Sequence, residues 1–149
     1  MILDVVLAWL HFLCIFTLVS ALVAEFVLYR RQMDVARIRQ LSLIDNLYGA
    51  AAGLVVLSGV ARVIWGLKGP LFYLHNPIFW TKMGLFLVVA LLSIPPTFHY
   101  LRLKGKVDAS GTVVVDDRGY TAMWVLLWFE AALVACIPFF ATLLAHGFN

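Results

Sequence analysis

Long apolar runs take up nearly the whole of this 149-residue chain. They extend roughly from Val5 to Leu28, Leu43 to Leu67, Ile78 to Tyr100 and Tyr120 to His146. At a rise of about 1.5 Å per residue, each is long enough to cross a hydrocarbon layer about 30 Å thick. Within such a layer the backbone must satisfy its own N–H and C=O groups, so each run is predicted to be a helix. With 64% hydrophobic and 13% charged residues, the chain carries more apolar surface than a soluble core of this size can hide. The expectation is an all-α, integral-membrane four-helix bundle, one transmembrane domain over residues 1–149, with no room for a soluble enzyme module.

The cations give an orientation. Arg30, Arg31, Arg37 and Arg39 lie between the first two spans, Arg102, Lys104, Lys106 and Arg118 between the last two, and Lys68 stands alone in the remaining loop. This asymmetry predicts a bacterial inner-membrane protein with the basic loops inside and both termini outside. The pI of about 9.1 therefore reads as a topology signal and not as affinity for nucleic acid. The first span has no Lys or Arg before it and a long apolar run, so it is expected to stay as a membrane helix and not to be removed as a signal peptide.

Polar residues inside the spans need a local reason, because a charge in hydrocarbon is costly. Asn76-Pro77 starts the third span: Asn caps free N–H groups, and Pro suits the first helical position. Lys82 then falls about one turn below the interface, where it either snorkels outward or turns toward a partner. His11 lies about two turns below the outer end of span one, and Arg62 about one and a half turns below the outer end of span two. His11 reads as an interhelical hydrogen bonder, a headgroup contact or a ligand, and Arg62 as a snorkelling cation or an anion clamp. Glu25, close to Arg30, reads as an ion pair near the inner surface, and Glu130, midway through span four, as a proton carrier or a neutral interhelical hydrogen bonder.

Other signals are structural. Ser42-Leu43-Ile44-Asp45 has the form of a capping box opening span two. Gly49 and Gly53 in GAAAG form a small-residue face, for packing within the protein or as a homo-oligomer seam. Pro95-Pro96 and Pro138 predict kinks. The inner loop reads as a small hairpin around Asp108-Ala109-Ser110-Gly111, with Asp116 or Asp117 capping span four. Cys14 and Cys136 lie at similar depth and read as buried thiols. No GxSxG, HExxH, phosphate-loop or dinucleotide fingerprint is present.

His11, Arg62 and Lys82 thus share one depth on three helices, with His75 and His146 at the rim. Imidazole ligates haem iron, copper or zinc, whereas Arg and Lys suit carboxylates better than a bare metal cation. That combination favours a haem b or porphyrin-sized site over copper.

Trp9-Leu10-His11, the run GLVVLSGVARVIWG and Phe79-Trp80-Thr81-Lys82-Met83-Gly84-Leu85 resemble the pattern of HemJ-type protoporphyrinogen oxidases and the wider CopD-like group. The whole chain looks most like the uncharacterised bacterial membrane proteins of domain of unknown function family 2214. The HemJ resemblance implies b-type haem and oxidoreductase activity, carried over by position to His11 and Lys82. With the shared depth of the three residues, the reading is His11 as axial iron ligand, Lys82 as opposite ligand, propionate partner or catalytic group, and Arg62 as propionate clamp. Membrane quinone is the expected electron acceptor, and Glu130 with Glu25 the expected proton relay. The acids, the double proline and Ala24-Glu25 at the end of span one depart from that pattern. Two other expectations stand beside it: copper or small-solute handling through His11, His75 and His146, and a helper subunit packed in a larger membrane complex.

Overall fold

The structure is a computed structural model that describes residues 2–107 and 111–147. Its helices and strands follow in the order α1 (Ile2–Leu28), β1 (Gln32–Asp34), α2 (Val35–Trp65), α3 (Gly69–Leu74), α4 (Pro77–Leu92), α5 (Ile94–Lys104), β2 (Thr112–Val114) and α6 (Asp117–Ala145). Four segments are long and apolar enough to cross a membrane: α1, α2, α4 continued by α5, and α6. Trp9, Phe16, Leu57, Val125 and Phe139 all point outward from the bundle. In water this would be an aggregating surface, whereas in a bilayer it is the lipid contact.

Helix α1 packs along α2, α4 packs against α6, and α5 turns away to pack on α2. The core between them holds Leu18, Ala21 and Leu22 of α1, Tyr48, Ala51 and Val55 of α2, and Met123 and Leu127 of α6. Both described ends of the chain lie on one side of the bundle, called here the terminal side; the side with the basic loops is the basic side.

The helix starts follow cap chemistry, with one correction. Asn76 accepts from the Ile78 N–H at 2.9 Å, and Asp116 accepts from the Gly119 N–H at 3.1 Å, as the sequence predicts. Helix α2, however, begins at Val35, capped by Asp34, which accepts from the Arg37 N–H at 2.8 Å. The Ser42-to-Asp45 box is therefore helix interior, about two turns in. The basic segment before it is helical because Ile38 and Leu41 bury against the end of the bundle.

The hairpin expectation is also corrected. Strand β2 pairs antiparallel with β1 of the other basic loop, with Met33 opposite Val113. Asp108, Ala109 and Ser110 of the expected turn lie outside the described residues. A two-stranded pair this short is marginal alone. Here it is held because Met33, Val113 and Val115 bury on the helix ends, beside Tyr29 and Leu103. Tyr29 stacks on Tyr120, while Arg31 lies over Tyr120 and pairs with Asp117 at 2.7 Å. Burial pushes the Tyr29 phenol up from its ordinary pKa, so it remains a hydroxyl that can bond His99 Nε2 at 3.1 Å.

The small-residue expectation changes as well. An added Cβ at Gly49 or Gly53 would meet nothing within 4 Å, so these glycines face outward and pack no helix of this chain. Glu25 is 2% exposed and forms no ion pair with Arg30, whose guanidinium instead bonds the Phe26 and Tyr29 carbonyls. Cys14 and Cys136 are free thiols, half-buried and exposed respectively.

The kink at the double proline is a break. Helix α4 ends at Leu92, Ser93 bonds back to the Ala90 carbonyl at 2.8 Å, and α5 restarts at Ile94. Pro95 and Pro96 have no N–H to give to the carbonyls of the preceding turn, so the helical ladder is interrupted there and α5 can change direction. Pro138, alone in α6, does not interrupt its helix.

Candidate functional site

His11, Arg62 and Lys82 meet at one cavity of about 160 Å³ in the terminal half of the bundle. Helix α4 contributes Phe79, Lys82, Met83 and Phe86, a strict one-face spacing, and α2 contributes Val55, Gly59, Arg62 and Val63 in the same manner. Tyr73 of α3 and Leu144 of α6 complete the wall.

The imidazole is held in a defined way. His11 is 6% exposed, and its Nδ1 lies 2.8 Å from Ser58 Oγ. The Ser58 hydroxyl also lies 2.7 Å from the Leu54 carbonyl, which can only accept. When that proton goes to the carbonyl, Ser58 Oγ accepts from His11 Nδ1–H and Nε2 carries the lone pair; when it goes to Nδ1, the ring proton sits on Nε2. Gly59 supplies the seat: a Cβ there would stand 3.4 Å from His11 Cε1.

Neither cation has an acidic partner among the described residues. Arg62 Nε is buried with no hydrogen-bond partner, and Lys82 has no hydrogen bond or ion pair among the described residues. Asp4, the acid of the terminal end, is turned to the Leu67 N–H at 3.3 Å. Lys68 is occupied elsewhere, donating to the Leu144 and Ala145 carbonyls at 3.1 and 2.9 Å as a cap on the end of α6. Two cations thus stand beside a low-dielectric hollow with no acidic partner among the described residues.

The remaining candidates lie apart. His75 and His146 are exposed and each bonds a carbonyl of its own helix, Leu71 and Thr142, outside the cavity wall. The copper ligand set of His11, His75 and His146 is thus not gathered at this cavity. Among the described residues no group of three or more His, Cys, Asp or Glu is placed to hold a metal ion.

Glu130 belongs to a separate polar layer in the basic half. It is 1% exposed and accepts from the Tyr48 hydroxyl at 2.6 Å. Nearby, the Tyr100 hydroxyl donates to Glu25 Oε2 at 3.2 Å, and Thr97 Oγ1 donates to Asp45 at 2.9 Å. Each of these carboxyl groups is met by a hydroxyl from another helix, which ties α1, α2, α5 and α6 together. Between Tyr48 and Ser58 the helix rises about 15 Å through buried Ala51 and Val55, so an apolar plug divides this layer from the cavity. Ser58, Asp45, Tyr48, Thr97 and Tyr100 were not singled out from the sequence as site residues. The available signal was spacing: Asp45 with Tyr48, and Thr97 with Tyr100, each three apart on one helical face, and Ser58 one turn from Arg62.

The donor set suits a haem in part, with an imidazole for iron and two cations for propionates. The inner part of the hollow has the size of a single ring or a small head group, and it is half-open, so the rest of a larger ligand would lie outside it.

Fold and cavity together define a multi-pass α-helical membrane protein with a pocket lined by His11, Arg62 and Lys82 in the terminal half of its bundle. The chain belongs to domain of unknown function family 2214, described as a predicted membrane protein, whose pattern matches residues 3–149. No curated protein and no solved structure matches the chain.

Proposed function

We infer that this protein binds, from the bilayer, an amphiphile with a small oxyanion head, a carboxylate or a phosphate, in the His11–Arg62–Lys82 cavity. The observation carrying this reading is that Arg62 and Lys82 both line an apolar, half-open hollow and neither has an acidic partner among the described residues. The head would take hydrogen bonds from both cations, and the apolar body would lie along Val56, Val60 and Phe86. By the charge asymmetry of the loops, the site faces the outer leaflet of a bacterial inner membrane.

A labelled stearate and its methyl ester test this with purified protein in detergent. The acid should bind, the ester should bind about tenfold more weakly, and Arg62→Gln or Lys82→Gln should each cost the acid about tenfold, in line with the worth of a charged hydrogen bond. Equal binding of acid and ester, or tighter binding of a short-chain quinone than of the acid, would overturn the reading.

A second reading keeps the haem b or porphyrin of a HemJ-type oxidoreductase, with quinone as electron acceptor. The hydrogen bond of His11 Nδ1 to Ser58 favours it, because metal-bound histidines commonly have their other nitrogen oriented by such a hydrogen bond. A tetrapyrrole would have to extend through the open side of the hollow. A Soret band in protein from haem-supplemented cells, abolished by His11→Ala, would establish this reading in place of the first.

A further inference from the structure

The proline break opens a second cleft, on the basic side and remote from His11. Because α4 packs on α6 while α5 turns to α2, the basic ends of α5 and α6 separate. The gap, about 460 Å³, is lined by Ile94, Pro95, Phe98, His99 and Arg102 on α5 and by a facing stripe on α6 that includes Gly119, Ala122 and Leu126. Both sets recur every three to four residues, so the cleft runs along the two helices for about 12 Å, from Arg102 and Gly119 at the basic surface to Ile94 and Leu126 inside.

Its chemistry is graded along that length. The deep part is hydrocarbon, with Met123 and Leu126 on the α6 wall, and the small residues Gly119 and Ala122 widen it nearer the mouth. At the mouth the Arg102 guanidinium makes no hydrogen bond or ion pair among the described residues. The acids near the mouth are already engaged, Asp116 by the Gly119 N–H and Asp117 by Arg31. His99 is held by Tyr29 through Nε2. A free cation at the surface above an apolar slot matches one occupant: an anionic phospholipid of the leaflet on the basic side, with an acyl chain in the slot and its phosphate at Arg102.

We propose that the cleft opened between α5 and α6 by Pro95-Pro96 is a binding site for an anionic phospholipid, with Arg102 as its head-group contact. This site stands independently of the cavity at His11. The test is native mass spectrometry of the full-length protein released from detergent with phosphatidylglycerol, with phosphatidylcholine of the same chains, or with inorganic phosphate. One phosphatidylglycerol should be retained in preference to phosphatidylcholine, and Arg102→Gln should reduce that preference about fivefold, the effect of one basic residue at an anionic surface. Ala122→Trp, which fills the slot from an exposed position, should abolish retention, whereas Leu57→Trp, on the lipid face of α2, should not. Millimolar inorganic phosphate should not compete. Equal retention of the two lipids, retention that survives Ala122→Trp, or displacement by free phosphate would each overturn the proposal. A melting curve of each variant that matches the parent shows that the fold is intact.

Discussion

The imidazole of His11 and the hydroxyl of Ser58 lie 2.8 Å apart although 47 residues separate them in the chain. This contact joins α1 to α2 at the level of the cavity and sets which ring nitrogen faces away from Ser58. It also explains why Ser58-Gly59 is placed where it is: the hydroxyl latches the ring and the glycine gives it room.

Ser58→Ala should release the latch. Interhelical hydrogen bonds in membranes are worth about 0.6 kcal/mol on average and up to about 1.7 kcal/mol, so the loss of stability should fall in that range. Thermal unfolding in detergent measures the cost. Binding of the carboxylate probe should weaken with it, because the His11 ring is no longer oriented.

In the basic half, Tyr48→Phe removes the donor to Glu130 and leaves a buried carboxyl group without that partner. A loss of about 1 kcal/mol is expected. Glu130→Gln should cost less, since an amide oxygen still accepts from Tyr48. Neither change should alter probe binding at the cavity, because the apolar plug separates the two levels. A double-mutant cycle between Tyr48 and Glu130 measures their coupling, and a cycle between Tyr48 and Arg62 should give none.

Replacing Pro95 and Pro96 by Ala restores two N–H donors and should straighten the α4–α5 segment. Spin labels at the exposed positions Leu87 and Leu101 should then move toward the separation of about 21 Å expected for an unbroken helix of that length. Pulsed electron–electron distance measurements in nanodiscs follow this directly, and phospholipid retention should fall as the cleft closes.

Met33→Ala at the centre of the strand pair should cost about 2 kcal/mol or more, since the side chain is 1% exposed and its removal leaves a cavity. The two basic loops should become sensitive to protease together, because β1 and β2 hold each other. Limited proteolysis of the parent and the variant checks this.

Gly49→Ala and Gly53→Ala should be tolerated or should stabilise by about 0.5–1 kcal/mol each, since nothing stands within 4 Å of the added carbon and Ala is the better helix former. Melting curves decide the sign.

The membrane class and the approximate spans were legible in the sequence because hydrocarbon length and backbone satisfaction leave so few options for long apolar runs. The caps Asn76 and Asp116 were legible too, since capping is local chemistry between residues two or three apart. The start of α2 was not. A capping-box pattern at Ser42 competed with Asp34, and the outcome rested on Ile38 and Leu41 finding a surface to bury against, which no local signal reports. The strand pair was misplaced for a related reason: β2 is a strand because β1 lies beside it, and the two come from loops far apart in the chain.

Depth was what the sequence by itself determined about the candidate site. Counting residues from the span ends placed His11, Arg62 and Lys82 at one level, because helical rise is fixed. Azimuth was left to the tertiary structure: which face of each helix looks inward depends on how the helices pack. Packing gathered His11, Arg62 and Lys82 around a shared hollow, turned Gly49 and Gly53 outward, and drew Glu25, Asp45 and Glu130 into a layer held by hydroxyls from neighbouring helices. It also set the cavity volume, because the gap between packed helices depends on side chains from α2, α3, α4 and α6 at once.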